Sequence, residues 1–379
     1  ITFRLRSNER TYRRSSVMTQ SVEQRRQEGW LSENLKHSNH WRFSFDQATQ
    51  NFLTDFAKKY HRPDAELFSY EFSEWDLGPA IEVIDQAVEE TMLGGGLVIL
   101  EGLPRRELTE DQFGFLNWVI GLHIGVPRPQ GKSTQYLAKV QDIGTNYRAA
   151  SGRGFSSNEK LTFHTDGADI STLGCFNTAK SGGMSMITSS TAVWRQFERE
   201  HPELTNAVEE HLFYFSRQQE EAPDERPYYG QKLFEECDGL IFGKWNSNRL
   251  RTAQDINDVP KLTETQNKIL NFMGEIIQRS THLYTMYLKP GDLQIMNNNT
   301  VFHSRTAYED YADADKKRLL YRLWIAPKKS PRLPQSWNEF YGEIGANMVR
   351  GGIKGHHFDE QCKKFDDDHA RKLKMSLNN

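Results

Sequence analysis

Phe163-His164-Thr165-Asp166 is the stretch on which the reading of this chain turns. On an extended segment residues i and i+2 project to the same side, so His164 and Asp166 can occupy two adjacent corners of a coordination sphere. A third donor must come from a neighbouring strand. His303 is placed to supply it, at the far end of Ile295-Met296-Asn297-Asn298-Asn299-Thr300-Val301-Phe302-His303. Two histidines and one carboxylate form the donor set of a non-haem iron site that leaves one face of the metal open. Spacing alone decides little, because chance supplies about one His-x-Asp triplet in a chain with 12 histidines. His357-Phe358-Asp359 is such a second copy. His357 stands in a polar, glycine-led stretch with only His369 after it, whereas His164 leaves a loop, opens an apolar region and has a distant partner.

The second signal is Arg318-Leu319-Leu320-Tyr321-Arg322-Leu323-Trp324. The two-residue period puts Arg318, Leu320, Arg322 and Trp324 on one face. On a solvated face the arginines would be ordinary surface residues. On a buried face they need anionic partners, and with His303 close by in sequence they suggest two anionic guests. Asn158, in the glycine- and serine-rich loop 143–160, is a candidate for substrate contact and equally a turn residue. Arg305 reads as a structural pair-former.

Around these motifs the chain divides into three parts: an arm and appendage over 1–60, a main domain over 61–335 and a charged tail over 336–379. Helices are predicted over 78–92, over 108–124 as an amphipathic helix, over 191–210, and over 262–284 opening at Thr263. Gly94-Gly95-Gly96 lacks a following Gly-Lys-Ser/Thr and precedes the apolar run Leu97–Leu100, so it reads as a turn before a strand and not as a phosphate loop. Short apolar segments at 172–176, 184–188, 212–215, 240–242, 293–296 and 319–325 read as strands. The fold class expected is α+β, mainly β: an antiparallel barrel or jelly roll with a helical N-terminal part and inserted helices.

The chain has 379 residues, 37% of them hydrophobic, enough for a large core. Its net charge of −3 gives no reason to expect a nucleic-acid partner, and no apolar run is long enough to cross a membrane. Cys175, Cys237 and Cys362 form no C-x-x-C pair, which fits a reducing, cytoplasmic setting. Arg4, Arg6, Arg10, Arg13 and Arg14 among Ser and Thr give the N-terminus a mitochondrial-targeting flavour, with a translated upstream stretch or a surface arm as the plainer readings. A homo-oligomer is compatible with all of this.

Taken together, Leu97–Pro104, Phe163–Asp166, Ser181-Gly182-Gly183, Pro290-Gly291-Asp292, Asn298–Arg305 and Arg318–Trp324 resemble the taurine dioxygenase and 2,4-dichlorophenoxyacetate dioxygenase superfamily. The resemblance runs from about residue 90 to 328. It implies a double-stranded β-helix, Fe(II), 2-oxoglutarate and O2. It implies that His164, Asp166 and His303 hold the metal, that Arg318 grips the far carboxylate of 2-oxoglutarate, and that Arg322 meets an anionic group of the substrate. The family usually places an acidic residue and then a Thr after the Gly-Gly pair; Met184 and Ser185 stand here, and Ser185 keeps a hydroxyl donor for the cosubstrate. Retention of Asp166 argues against halogenation. The expected reaction is oxidation of an unactivated C–H in a small carboxylate- or amino-acid-type substrate, by hydroxylation, desaturation or cyclisation, with succinate and CO2 as coproducts. An iron oxidase of the same fold that works without 2-oxoglutarate, a non-catalytic small-acid-binding module and a zinc-stabilised structural protein are the competing readings.

Overall fold

The computed structural model describes residues 20–71, 76–145 and 154–376. The basic N-terminal stretch lies outside them. The described residues form a mixed α/β body in which two principal sheets, accompanied by three two-stranded ones, are covered by helices.

The larger sheet carries, in order, Arg42–Ser44, Leu97–Glu101, Leu293–Asn297, Ile170–Asn177, Leu319–Pro327 and Gly125–Arg128, with Leu137–Val140 also paired to Leu319–Pro327. All neighbours are antiparallel except Arg42–Ser44 against Leu97–Glu101. The smaller sheet is Tyr284–Met286, Ser185–Ser189 and Val301–Arg305.

Alternation along the strands sorts the core into two layers. Leu319, Tyr321, Leu323 and Ile325, with Val98, Leu100, Leu293 and Ile295, face a helical layer. Leu97, Ile99, Met296, Leu320 and Cys175 face the other way and meet Ile187, Val301 and Met286 of the smaller sheet. Trp30 and Trp41 join that inter-sheet layer, each 1% exposed. The appendage is therefore built into the core, and it adds a strand to the larger sheet.

The helix expected over 108–124 forms as Glu110–Ile124, opened by a capping box between Thr109 and Gln112. It is not amphipathic: every residue from Phe113 to Ile124 is buried, because Gln47–Tyr60 and Ala80–Leu93 cover the side turned away from the sheet. Gly114 and Gly121 let it lie close on the sheet, since a Cβ there would stand 2.9 Å from Tyr321 and 2.5 Å from Leu323. The helix expected over 191–210 is two, Ser190–Glu200 and Thr205–Glu210, interrupted at Pro202, which has no N–H to continue the ladder. Thr263 caps Glu264–Gln278. The tail ends in Glu360–Lys372, tied to the body by a Arg128–Asp366 ion pair of 2.7 Å. No helix among the described residues is long and apolar enough to cross a membrane.

Candidate metal centre and its cavity

The site is assembled by backbone pairing. The His164 N–H donates to the His303 carbonyl at 2.9 Å, and the His303 N–H returns to the His164 carbonyl at 3.0 Å. On its other side His164 bridges Asn246, and the Thr165 N–H donates to the Trp245 carbonyl at 2.8 Å. His303 is paired with Ile187, and Arg305 with Ser185. Four extended segments thus lie side by side, in the order 244–246, 164–166, 303–305 and 185–187. Asn298, fully buried, fixes the turn after the first histidine: its Oδ1 accepts the Asp166 N–H and its Nδ2 donates to the Ala168 carbonyl, both at 3.0 Å.

Donor atoms of His164, Asp166 and His303 all lie within 4.8 Å of one another, the one such cluster among the described residues. His164 Nε2 is 3.9 Å from Asp166 Oδ1, and His303 Nε2 is 3.8 Å from Asp166 Oδ2. These distances are too long for hydrogen bonds. They suit lone pairs that converge on a common cation. His164 Nδ1 lies 2.9 Å from the Thr162 carbonyl, a partner that only accepts, so Nδ1 carries the proton and Nε2 is left as a donor to metal.

Charge states agree with that role. Burial alone would raise the Asp166 carboxyl, but the Arg322 guanidinium beside it holds it well below the usual carboxylate range. Burial, with His164 beside it, pushes His303 down to about 3, and burial lowers His164 as well. Two neutral imidazoles and an ionised carboxylate are the forms that bind a divalent metal. The residues present therefore fit a ferrous ion.

The triad opens into a cavity of about 120 Å³. Arg318, 6% exposed, reaches its wall. Its N–H donates to Asp310 Oδ1 at 2.8 Å and its guanidinium lies over the Tyr308 ring at 5.0 Å, yet Nη1 is buried with no hydrogen-bond partner. A buried cation with an unused donor fits an anionic cosubstrate. Ser185, 9% exposed, is on the same wall. Gly183, at φ +74°, passes so close that a Cβ there would be 3.3 Å from Arg318 Nε. Arg322 also lines the cavity: its Nε donates to Gln130 Oε1 at 2.7 Å, its Nη1 is 3.6 Å from Asp166 Oδ1, and its fork lies near the rings of Phe155 and Trp324.

Asn158 is not brought to this cavity. Its side chain is exposed and its carbonyl accepts the Tyr308 N–H at 3.1 Å, the work of a turn residue, while Gly154 and Phe155 of the same loop reach the wall. Arg305 holds that loop through the carbonyls of Ser157 and Glu159, at 2.8 and 2.5 Å. The second His-x-Asp is a helix cap: His357 is exposed, and Asp359 accepts the Cys362 N–H at 3.0 Å.

Several wall residues escaped the sequence reading: Lys244, Gln218, Arg249, Tyr229, Phe340 and Ile353. Lys244 gave the clearest available signal, a lysine set between Phe242 and Trp245 in an apolar strand end. It is 2% exposed, its Nζ donates to the Asp166 carbonyl at 3.4 Å, and it lies 4.8 Å from the Phe340 ring. Burial, then Arg249, pushes its ammonium down to about 7.

The chain is similar to several known proteins. FR-33289 synthase of Streptomyces rubellomurinus is 26% identical over 310 residues, covering 81% of this chain and 91% of the relative. The taurine hydroxylase-like protein SAT17 of Stachybotrys chartarum is 24% identical over 276 residues, 68% of this chain and 67% of the relative. Among solved structures, asparagine oxygenase in complex with Fe(II), 3-hydroxyasparagine and succinate superposes with a TM-score of 0.57 at 16% identity, over 75% of this chain and 93% of that one. The non-haem iron oxygenase OrfP in complex with Fe, succinate and (3S)-hydroxy-L-Arg gives 0.57 at 13% identity, with the same coverage. The model of the taurine catabolism dioxygenase TauD, TfdA family matches residues 57–324. The chain belongs to that family, and with it to the non-haem iron dioxygenases that work with Fe(II), 2-oxoglutarate and O2.

Proposed function

We propose that this enzyme hydroxylates an unactivated C–H of a small carboxylate- or amino-acid-type substrate, with His164, Asp166 and His303 as its iron ligands. One observation carries the reading: these three side chains converge at a cavity that also presents Arg318 with an unused buried donor. Iron held there would couple oxidative decarboxylation of 2-oxoglutarate, giving succinate and CO2, to oxidation of the substrate by O2.

The chain's own groups do the rest by position and charge. Arg318, assisted by the Ser185 hydroxyl, binds the remote carboxylate of 2-oxoglutarate through a charge-assisted fork. Arg322 keeps Asp166 ionised and stands on the cavity wall, where a substrate carboxylate would meet it beside the metal ligands. Trp324, Phe340 and Ile353 supply apolar wall that orients the carbon skeleton and excludes water. The substrate class rests on this cavity charge and not on likeness of fold, because one fold serves many substrates.

The two facing sheets support a double-stranded β-helix for the domain proper, over 61–335. The arm and tail complete it: Trp30 and Trp41 close the core, and Phe340 and Ile353 reach the cavity. A reducing, cytoplasmic setting fits the three unpaired cysteines.

The test is succinate formation in air with Fe(II), ascorbate and 2-oxoglutarate, screened against amino and carboxylic acids. Wild type and His357→Ala should respond to the same substrate, and His164→Ala should not. Succinate formation by His164→Ala at the wild-type rate would end the assignment.

A further inference from the structure

The cavity contains a buried cation that the reading above does not use. In the four-segment order, Lys244 flanks His164–Asp166 on the side opposite Ser185, so it lies at the other end of the site from the proposed cosubstrate end. Among the described residues each other cation on that wall has a partner or an assigned role: Arg318 is set aside for the cosubstrate, and Arg305 donates to the carbonyls of Ser157 and Glu159. Arg249 Nη2 pairs with Glu220 at 2.9 Å and its Nη1 donates to the Ser216 carbonyl at 2.9 Å. Arg322 faces Asp166 and Gln130. Among the described residues Lys244 has no carboxylate within ion-pair distance; it has a carbonyl at 3.4 Å and the faces of Phe340 and Tyr341. An ammonium placed in such surroundings is costly unless an anion joins it.

A second observation comes from Gln218. It lines the same cavity, is 5% exposed, and its Nε2 is buried without a hydrogen-bond partner. Its backbone is held at φ +56° while its N–H donates to Ser216 Oγ at 2.9 Å. A non-glycine residue kept in the left-handed region costs on the order of 1 kcal/mol.

We propose that Lys244 and Gln218 form an oxyanion subsite for the substrate, which therefore carries a carboxylate or a phosphoryl-type group at the end held away from Arg318. The assignment deepens the proposed function and rests on its cavity, but its chemistry does not depend on iron. The lobe would discriminate charge: an amide or ester isostere leaves the ammonium unpaired.

The experiment is calorimetric titration of the folded full-length chain, with saturating 2-oxoglutarate to fill the Arg318 end, using acetate, inorganic phosphate and acetamide as probes. It is run anaerobically with Fe(II) and again metal-free. Acetate or phosphate should bind and acetamide should not, and the tighter of the two anions identifies the group the substrate carries. Lys244→Met should weaken anion binding at least ten-fold, Lys244→Arg should restore most of it, and Gln218→Leu should weaken it several-fold. Arg318→Ala, which lacks the second anion site, should bind acetate or phosphate without 2-oxoglutarate as tightly as wild type does with it. Equal binding of acetamide and acetate, no anion binding by wild type, or wild-type binding by a Lys244→Met protein with native circular dichroism would overturn the subsite. Loss of Fe(II) binding with anion binding intact would instead count against the metal assignment alone.

Discussion

His164 and His303 exchange both main-chain hydrogen bonds, at 2.9 and 3.0 Å, and their rings lie 4.3 Å apart. The backbone pairing sets the separation of the two imidazoles before any metal arrives. Coordination then adds little ordering cost, as expected of a preorganised site.

Arg318 supplies the first prediction. Arg318→Ala should raise the apparent KM for 2-oxoglutarate by roughly thirty-fold or more, since losing one partner of a buried charged pair costs about 2–5 kcal/mol. Arg318→Lys should recover only part of this, because an ammonium cannot reproduce the two-pronged contact. Steady-state kinetics with varied 2-oxoglutarate would show it, and an unchanged KM in the Ala variant would refute the role.

Asn298 should act on the metal without touching it. Its two hydrogen bonds hold Asp166 and Ala168. Asn298→Ala should lower Fe(II) affinity by about 10- to 100-fold, the usual effect of removing a group that orients a ligand, while the KM for 2-oxoglutarate stays within about two-fold once iron is saturating. Equilibrium dialysis under nitrogen measures the first quantity, and wild-type affinity would show that Asn298 is merely packing.

Behind the same loop, Arg350 and Asp169 form a fully buried ion pair of 2.7 Å, with Asn299 also donating to Asp169. Arg350→Met leaves a carboxylate stranded and should cost about 3–5 kcal/mol in urea unfolding. Adding Asp169→Asn should return part of that loss, because the stranded charge is gone. A double variant no more stable than the single one would contradict the account.

His40 gives stability a pH dependence away from the site. Burial, then Arg25, holds its imidazole down to about 4, and Arg25 itself engages both oxygens of Glu90. In the unfolded chain an ordinary histidine titrates near 6.5. Between about 6.5 and 4 the unfolded state therefore binds the proton that the folded state refuses, and stability falls as pH falls. Thermal melts of wild type and His40→Gln over that window should show a shallower decline in the variant; parallel curves would remove His40 as a cause.

Much of this was legible because period-two alternation is strong where both faces of a strand are buried by different layers. Arg318, Leu320, Arg322 and Trp324 announced one face of their strand, and the structure turns Leu320 between the sheets while Leu319, Tyr321 and Leu323 meet the helices. The His-x-Asp pair lies outside any regular strand, held by isolated bridges from His164 to Asn246 and His303, and its sequence signal is the spacing together with the distant His303. Lys244 and Gln218 were not legible. They reach the cavity by a strand end and a strained turn, and neither spacing nor residue type tells where such a segment will dock. The helix at Glu110–Ile124 departs from the amphipathic expectation because a second helical layer buries the side expected to meet water. Asn158 stands exposed off the cavity lining, and no sequence feature marks this because a turn residue and a ligand-contacting one share the same loop chemistry.

Anaerobic Fe(II) binding by the metal-free chain tests the central claim most directly. Wild type should take up one equivalent of Fe(II), His357→Ala likewise, and each of His164→Ala, Asp166→Ala and His303→Ala should lose that binding. Stoichiometric uptake that survives in any of these three variants with wild-type affinity would mean that the metal sits elsewhere.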